Sequence, residues 1–202
     1  AMVIFLKQWL KLIQLQKSHP APFYYKQLFQ GKHLPVQQEY IGRSRELELL
    51  DGAIAQGRDK VFLVVGKSAS GKTHFSEYIA DTRFKGEVFR IDSFGVQGSI
   101  REIHRAFASA TQIGGEMEAC LSGAPNDSIF IINDIEVWWD RSKAKDALMV
   151  LLEMVERFSK KHRFILNINL HALEAVSKQR PLKNVVTNTI VLSPIQKRAL
   201  KS

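Results

Sequence analysis

Apolar positions return every three or four residues at the start of the chain. Leu6, Trp9, Leu10 and Ile13 fall on one side and Lys7, Lys11 and Gln14 on another, so residues 3–17 are predicted to form an amphipathic helix. His19-Pro20-Ala21-Pro22 breaks that pattern, and up to about residue 38 the chain reads as a connector. From Tyr40 the pattern becomes regular. Leu47, Leu50 and Ile54 share helical spacing, with Ser44 placed to cap the helix and Gly57 to end it. Residues 61–65 are continuously apolar, as in a strand buried on both faces of a parallel sheet. A helix over 73–81, a strand over 87–91, a helix over 99–110 carrying Ile100, Ile103 and Phe107 on one side, and a buried strand over 129–132 follow. Ala144, Ala147, Leu148, Leu151, Leu152, Val155 and Phe158 then make the longest helical stripe. Residues 164–169 read as a fourth strand, 172–177 as a short helix and 187–192 as a fifth strand.

Strands alternating with helices predict an α/β domain in three αβα layers around a five-stranded, mainly parallel sheet. Residues 1–39 form the N-terminal helix and connector, 40–195 the α/β domain, and 196–202 the start of a further C-terminal region. No internal repeat or low-complexity tract interrupts this plan. At 202 residues, 45% hydrophobic and 24% charged, the chain is long enough for one substantial core.

Charge and cysteine content narrow the setting. The single cysteine, Cys120, excludes an internal disulfide, and a reducing, cytoplasmic compartment is expected, including the case of a cytoplasmic part of a membrane-associated protein. The apolar N-terminal stretch holds Lys7 and Lys11 and falls short of the roughly 20 residues that span a bilayer. The net charge of +9 is uneven: residues 41–157 are slightly acidic, whereas residues 158–202 carry nine basic and one acidic side chain. Such a tail suits nucleic acid, a membrane surface or an acidic partner domain, and equally a solvated face.

The most specific chemistry lies at Gly66-Lys67-Ser68-Ala69-Ser70-Gly71-Lys72-Thr73, which fits G-x-x-x-x-G-K-[ST] at every position and falls between an apolar strand and a helix. Glycines permit the tight turn that aims successive backbone N–H groups at phosphates, and the following helix adds its positive end. Lys72 is expected to reach the β and γ phosphates and Thr73 to give its hydroxyl to Mg²⁺. No guanine-reading N-K-x-D-like segment follows a later strand, so ATP with Mg²⁺ is the expected ligand.

Tyr40-Ile41-Gly42-Arg43-Ser44-Arg45-Glu46-Leu47 resembles the (F/Y)-(V/I)-G-R-x-x-E-L segment that precedes the phosphate loop in AAA+ ATPases and the related STAND NTPases. The resemblance covers roughly residues 40–195 and implies a P-loop NTPase fold in which Ile41, Gly42 and Arg43 border the adenine. It also implies that Ile129-Phe130-Ile131-Ile132-Asn133-Asp134-Ile135-Glu136 stands where the Walker B strand belongs. There a metal-side aspartate and a water-activating carboxylate are expected. In one register Asn133 takes the metal-side place and Asp134 the second; shifted by one, Asp134 becomes the metal-side group and Glu136 lies beyond. Asp134 is the favoured acid, with Asn133 and Glu136 as assistants, and either register implies weakened hydrolysis because an amide carries no charge. By the same resemblance Asn169, or Asn167 on the same strand face, occupies the sensor position at the end of the fourth strand, and Arg180 the place of an arginine finger reaching a neighbouring subunit. The helical lid that follows the fifth strand in these families is not found before Ser202, which suggests a piece of a longer protein. These features imply an ATP-binding, ATP-hydrolysing module that couples nucleotide state to conformational or assembly change, with further domains or a homo-oligomer as partners. A non-hydrolysing nucleotide-gated module and a nucleic-acid-handling ATPase stand as alternatives.

Overall fold

A computed structural model describes residues 43–92, 98–143, 145–180 and 182–193. The N-terminal amphipathic helix, Ile41 and Gly42, Ala144 and the segment 196–202 lie outside the described residues. Five strands, β1 (Val61–Gly66), β2 (Val88–Ile91), β3 (Ile129–Ile132), β4 (Arg163–Asn169) and β5 (Asn188–Val191), form one sheet in the order β2-β3-β4-β1-β5. Every pairing is parallel, so the sheet is wholly rather than mainly parallel.

Strand alternation divides the core. Val61, Leu63, Val65, Phe130, Ile132, Phe164, Leu166 and Ile168 face one side, whereas Phe62, Val64, Ile129, Ile131, Ile165 and Ile190 face the other. The first face is covered by α3 (Ile100–Thr111), α4 (Met117–Gly123), α5 (Ala147–Phe158), α6 (Leu170–Gln179) and α7 (Leu182–Val185). The second is covered by α1 (Ser44–Ala55) and α2 (Lys72–Arg83). Successive crossovers β2→β3→β4→β5 step in one direction across the sheet, and β1→β2 steps back. Right-handed connections therefore put α2 on the face opposite the others. The direction changes at β1 and its neighbour β4, and in open parallel sheets a ligand crevice opens above such a point.

Local chemistry sets the element ends. Ser99 and Glu102 close a reciprocal capping box on α3. The helix of the longest stripe begins at Ala147, where Asp146 accepts from Met149 N and caps α5. Ser44 does not cap α1 as expected: it is the first helical residue, and no side chain caps the preceding Arg43. The short α4 and α7 carry too few periodic positions to stand out in the sequence.

Phe130 centres the larger core, with the rings of Phe89, Phe107 and Phe164 at 5.1, 5.9 and 5.5 Å and that of His162 at 5.2 Å. His162 is fully buried and its Nε2 lies 2.8 Å from Leu121 O, so the neutral ring donates there. Burial pushes its pKa below the usual histidine value, against a weaker opposing effect of the Leu121 carbonyl. A histidine whose folded pKa is depressed contributes stability that is full above its unfolded value, about 6.5, and is lost as pH falls through that value toward the folded one. Denaturant titrations are expected to show lower stability at pH 5.5 than at 7.5, with the slope flattened in His162→Gln; equal pH slopes in the two proteins would refute this.

Candidate functional site

The C-terminal ends of β1, β3 and β4 meet the first turn of α2. After β1 the chain makes the loop 67–71, in which Ala69 and Gly71 take left-handed backbone conformations with φ of 58° and 85°. Gly71 is the N-cap of α2 and offers no side-chain cap, so the first amides of a 12-residue helix stay open to a ligand. A Cβ at Gly66 would overlap Ser70 Oγ and force that hydroxyl to turn away. Lys67, Ser68, Ala69, Gly71 and Thr73 are exposed, Ser70 is half-buried, and Lys72 is folded back so that its Nζ lies 3.3 Å from both Gly66 O and Lys67 O. The ammonium is held at the mouth of the loop by two long, readily exchanged bonds.

Arg43 is buried and holds this loop from behind. Its guanidinium donates to Ser70 O at 2.8 Å, to Ser193 O at 2.5 Å and to Glu46 Oε1 at 3.0 Å. The segment before α1, the phosphate loop and the chain beyond β5 are thus tied by one side chain. Where the resemblance implied a residue bordering the adenine, Arg43 is a cation 1% exposed whose partners make it a tie between backbone segments.

Across from the loop, Asn133 follows β3 directly. Thr73 Oγ1 donates to Asn133 Oδ1 at 3.1 Å, which brings Asn133 beside the hydroxyl expected to face the metal. Asp134 is exposed, with a left-handed φ of 48° that turns the chain into a 3-10 helix, Ile135–Trp138. Glu136 lies on that helix and returns to the site, where its Oε1 accepts from Asn169 N at 3.1 Å. Burial raises its pKa above the usual carboxylate value and the nearby Asp134 adds to this; its own backbone N–H, that of Asn169 and the charge of Lys72 offset only part. A carboxylate raised in this way costs stability above its folded pKa, and the cost vanishes below its unfolded value of about 4.3. Glu136→Gln is therefore expected to raise the melting temperature at pH 7.5 and to leave it unchanged at pH 4; a lowered melting temperature at pH 7.5 would sink this account.

Asn169 caps α6, its Oδ1 accepting from His171 N at 3.0 Å. The amide bonded to Asn133 is that of Asn167, whose Nδ2 donates to Asn133 Oδ1 at 2.6 Å and whose Oδ1 accepts from Ser76 Oγ at 2.7 Å. Arg180 lies elsewhere. It donates to Asp146 from Nε and Nη2 at 3.3 and 2.8 Å, to Lys143 O and to Gln179 O, and is 8% exposed. The arginine-finger expectation is corrected by this buried pair. Trp138 is a 1% exposed member of the core, and Trp139 donates to Gln179.

Sequence reasoning missed Asp92, at the end of β2, which accepts from Asn133 Nδ2 at 2.8 Å. The signal was an acid closing a strand next to the Walker B position, but only the sheet order reveals that β2 and β3 are neighbours.

The residues present fit a nucleotide with Mg²⁺. Ser70 Oγ and Glu136 Oε2 are buried with no protein partner among the described residues. The oxygens of Thr73 and Asn133 form a hard donor pair that phosphate oxygens would complete. Among the described residues no group of three or more His, Cys, Asp or Glu side chains forms a separate metal centre, and no helix is long and apolar enough to cross a membrane.

No protein-family model and no curated protein matches the chain. Among solved structures it is similar to the Aeropyrum pernix Orc1 protein in complex with DNA, at 16% identity and a TM-score of 0.54, covering 82% of this chain and 49% of that one. It thus spans about half the length of that chain. Matches to Hsp104 with ATPγS and casein (16% identity, TM-score 0.44, 79% and 31% covered) and to an E. coli MS115-1 HORMA:CdnC:Trip13 complex (13%, 0.48, 79% and 65%) are weaker. The likeness to the Orc1 chain is one of fold alone, that of an α/β domain built on a five-stranded parallel sheet.

Proposed function

We propose that this chain binds ATP with Mg²⁺ at residues 66–73 and couples nucleotide state to a conformational or assembly change in a longer protein. The observation that carries the reading is the uncapped N-terminus of α2, with exposed loop residues before it and Lys72 held beside it on two loop carbonyls. Loop amides and the Lys72 ammonium neutralise phosphate charge, and Thr73 with Asn133 holds the cation side. When bound, Mg²⁺ supplies positive charge to the phosphate oxygens. On the hydrolytic side, Glu136 is anchored by Asn169 N, and its free Oε2 is suited to orient an attacking water or accept its proton. Asp134, exposed at the same turn, is the second acid available. A pKa raised by burial makes Glu136 a better base than an ordinary carboxylate but populates its charged form less.

A second reading, a nucleotide-gated binding module without turnover, is favoured by Asn133, which brings no charge to the metal-side position. The discriminating experiment is calorimetric titration with ATP, ADP and GTP, with and without Mg²⁺, followed by steady-state phosphate release. Binding of ATP with measurable release supports hydrolysis, and binding alone supports the gated module. Absence of nucleotide binding defeats both.

A further inference from the structure

The unusual amide at the metal-side position is not isolated. Asn133 is wired into a run of hydrogen bonds whose direction is fixed: Ser76 Oγ donates to Asn167 Oδ1, Asn167 Nδ2 to Asn133 Oδ1, and Asn133 Nδ2 to Asp92 Oδ1. Ser76 and Asn167 are fully buried and Asn133 is 7% exposed, so none of these groups can turn to water for a replacement partner. Rotating the Asn133 amide would set its NH₂ against that of Asn167 and its oxygen against the Asp92 carboxylate. The carbonyl oxygen is thereby locked toward Thr73 Oγ1 and the NH₂ toward Asp92.

The pairing of β2 with β3 explains why Asp92 is there. Ile91 and Ile132 are partners in the parallel register, and Asn133 N donates to Ile91 O at 3.0 Å, so residues 92 and 133 leave the sheet side by side. Asp92 is exposed, and among the described residues no hydrogen bond reaches its Oδ2. One carboxylate oxygen orients Asn133; the other has no hydrogen-bond partner among the described residues, at the C-terminal end of the sheet where the loop 67–71 also lies. Were residue 133 itself an aspartate, two carboxylates would face each other at hydrogen-bond distance, and only one would ionise readily. Within the Asp92–Asn133 pair there is one negative charge, and it sits on the residue after β2 rather than on the one after β3, a displacement of one strand, about 4.8 Å.

We infer that Asp92 is the metal-charge residue of this site: it supplies the anionic group for the nucleotide-bound divalent cation, with Asn133 as the neutral coupling between it and Thr73. The inference rests on the nucleotide-binding reading and adds to it which residue carries the charge. Asp92 is a positioning residue, acting through Asn133 and the cation's surroundings. Partners of this kind change metal affinity by about 10- to 100-fold.

The test compares ATP affinity by calorimetry in EDTA and in Mg²⁺, with Mn²⁺ uptake by spin resonance as a second readout, for the native chain, Asp92→Asn, Asn133→Asp and the double exchange. Asp92→Asn retains the hydrogen-bond acceptor and removes only the charge. It is expected to leave affinity in EDTA unchanged or slightly tighter and to cut the Mg²⁺ enhancement by about 10- to 100-fold. The double exchange, which moves the carboxylate back to β3, is expected to restore the enhancement. Asn133→Asp alone should melt lower in EDTA and recover with Mg²⁺ and ATP. An unchanged Mg²⁺ enhancement in Asp92→Asn, or no recovery in the double exchange, overturns the inference while native ATP binding leaves the broader reading intact. A native chain that binds no ATP overturns both.

Discussion

Lys72→Ala is expected to weaken ATP binding by on the order of a hundredfold while moving the melting temperature little. A charge-assisted hydrogen bond contributes about 1.5–3 kcal/mol, and one such bond to phosphate is worth roughly one to two decades of affinity. In the ligand-free chain the ammonium makes only two bonds, each of 3.3 Å, to the carbonyls of Gly66 and Lys67. Lys67 O lies among exposed loop residues, where water replaces the lost donor at small cost, and the bond to the buried Gly66 O is long. Alanine also suits the first turn of α2, where Lys72 is the first helical residue. Affinity and stability should therefore separate: calorimetry detects the loss and thermal melting does not. Binding within threefold of the native chain would show that the loop does not receive the phosphates.

The fold was legible because its signals are local and redundant. β1 and β3 are short, continuous apolar runs, and α5 carries five fully or almost fully buried apolar side chains at helical spacing. The loop before α2 was legible for the same reason, since residues 66–73 are contiguous and its left-handed backbone falls at Ala69 and Gly71. What escaped is non-local. Asp92 and Asn133 are 41 positions apart, and only the pairing of β2 with β3 joins them. Asn167 and Asn169 share a strand face, yet one is buried in the amide run and the other caps α6, a distinction set by where β4 ends. The resemblance put Arg43 beside the adenine and Arg180 at the place of an arginine finger; both side chains are buried in internal ties, and burial is not displayed by sequence. Comparison by fold carries no information at this level, because residue roles do not transfer at 16% identity.

Arg180→Ala is expected to be the most damaging single change outside the apolar core, at about 3–5 kcal/mol, because it strands a buried carboxylate. At this chain length that corresponds to a fall in melting temperature of roughly 10 °C. Asp146 is 2% exposed and caps α5 through Met149 N, while its other oxygen accepts from Asp140 N at 2.7 Å. Burial by itself raises the Asp146 pKa; the Arg180 guanidinium together with the two backbone N–H groups outweighs that and leaves the carboxyl below its ordinary range. A depressed carboxylate contributes stability that is present above its unfolded pKa, about 3.9, and lost as pH falls through the folded value. Without Arg180 the remaining charge costs stability at neutral pH, and that cost is relieved once acid protonates Asp146. The difference between native and Arg180→Ala should thus be large at pH 7.5 and shrink near pH 4. Asp146→Asn added to Arg180→Ala removes the stranded charge and keeps an acceptor for the cap, so the double variant should be more stable at pH 7.5 than Arg180→Ala alone. An arginine finger predicts the opposite pattern: ATP turnover in the assembled protein would collapse while the melting temperature of the isolated chain stayed at the native value.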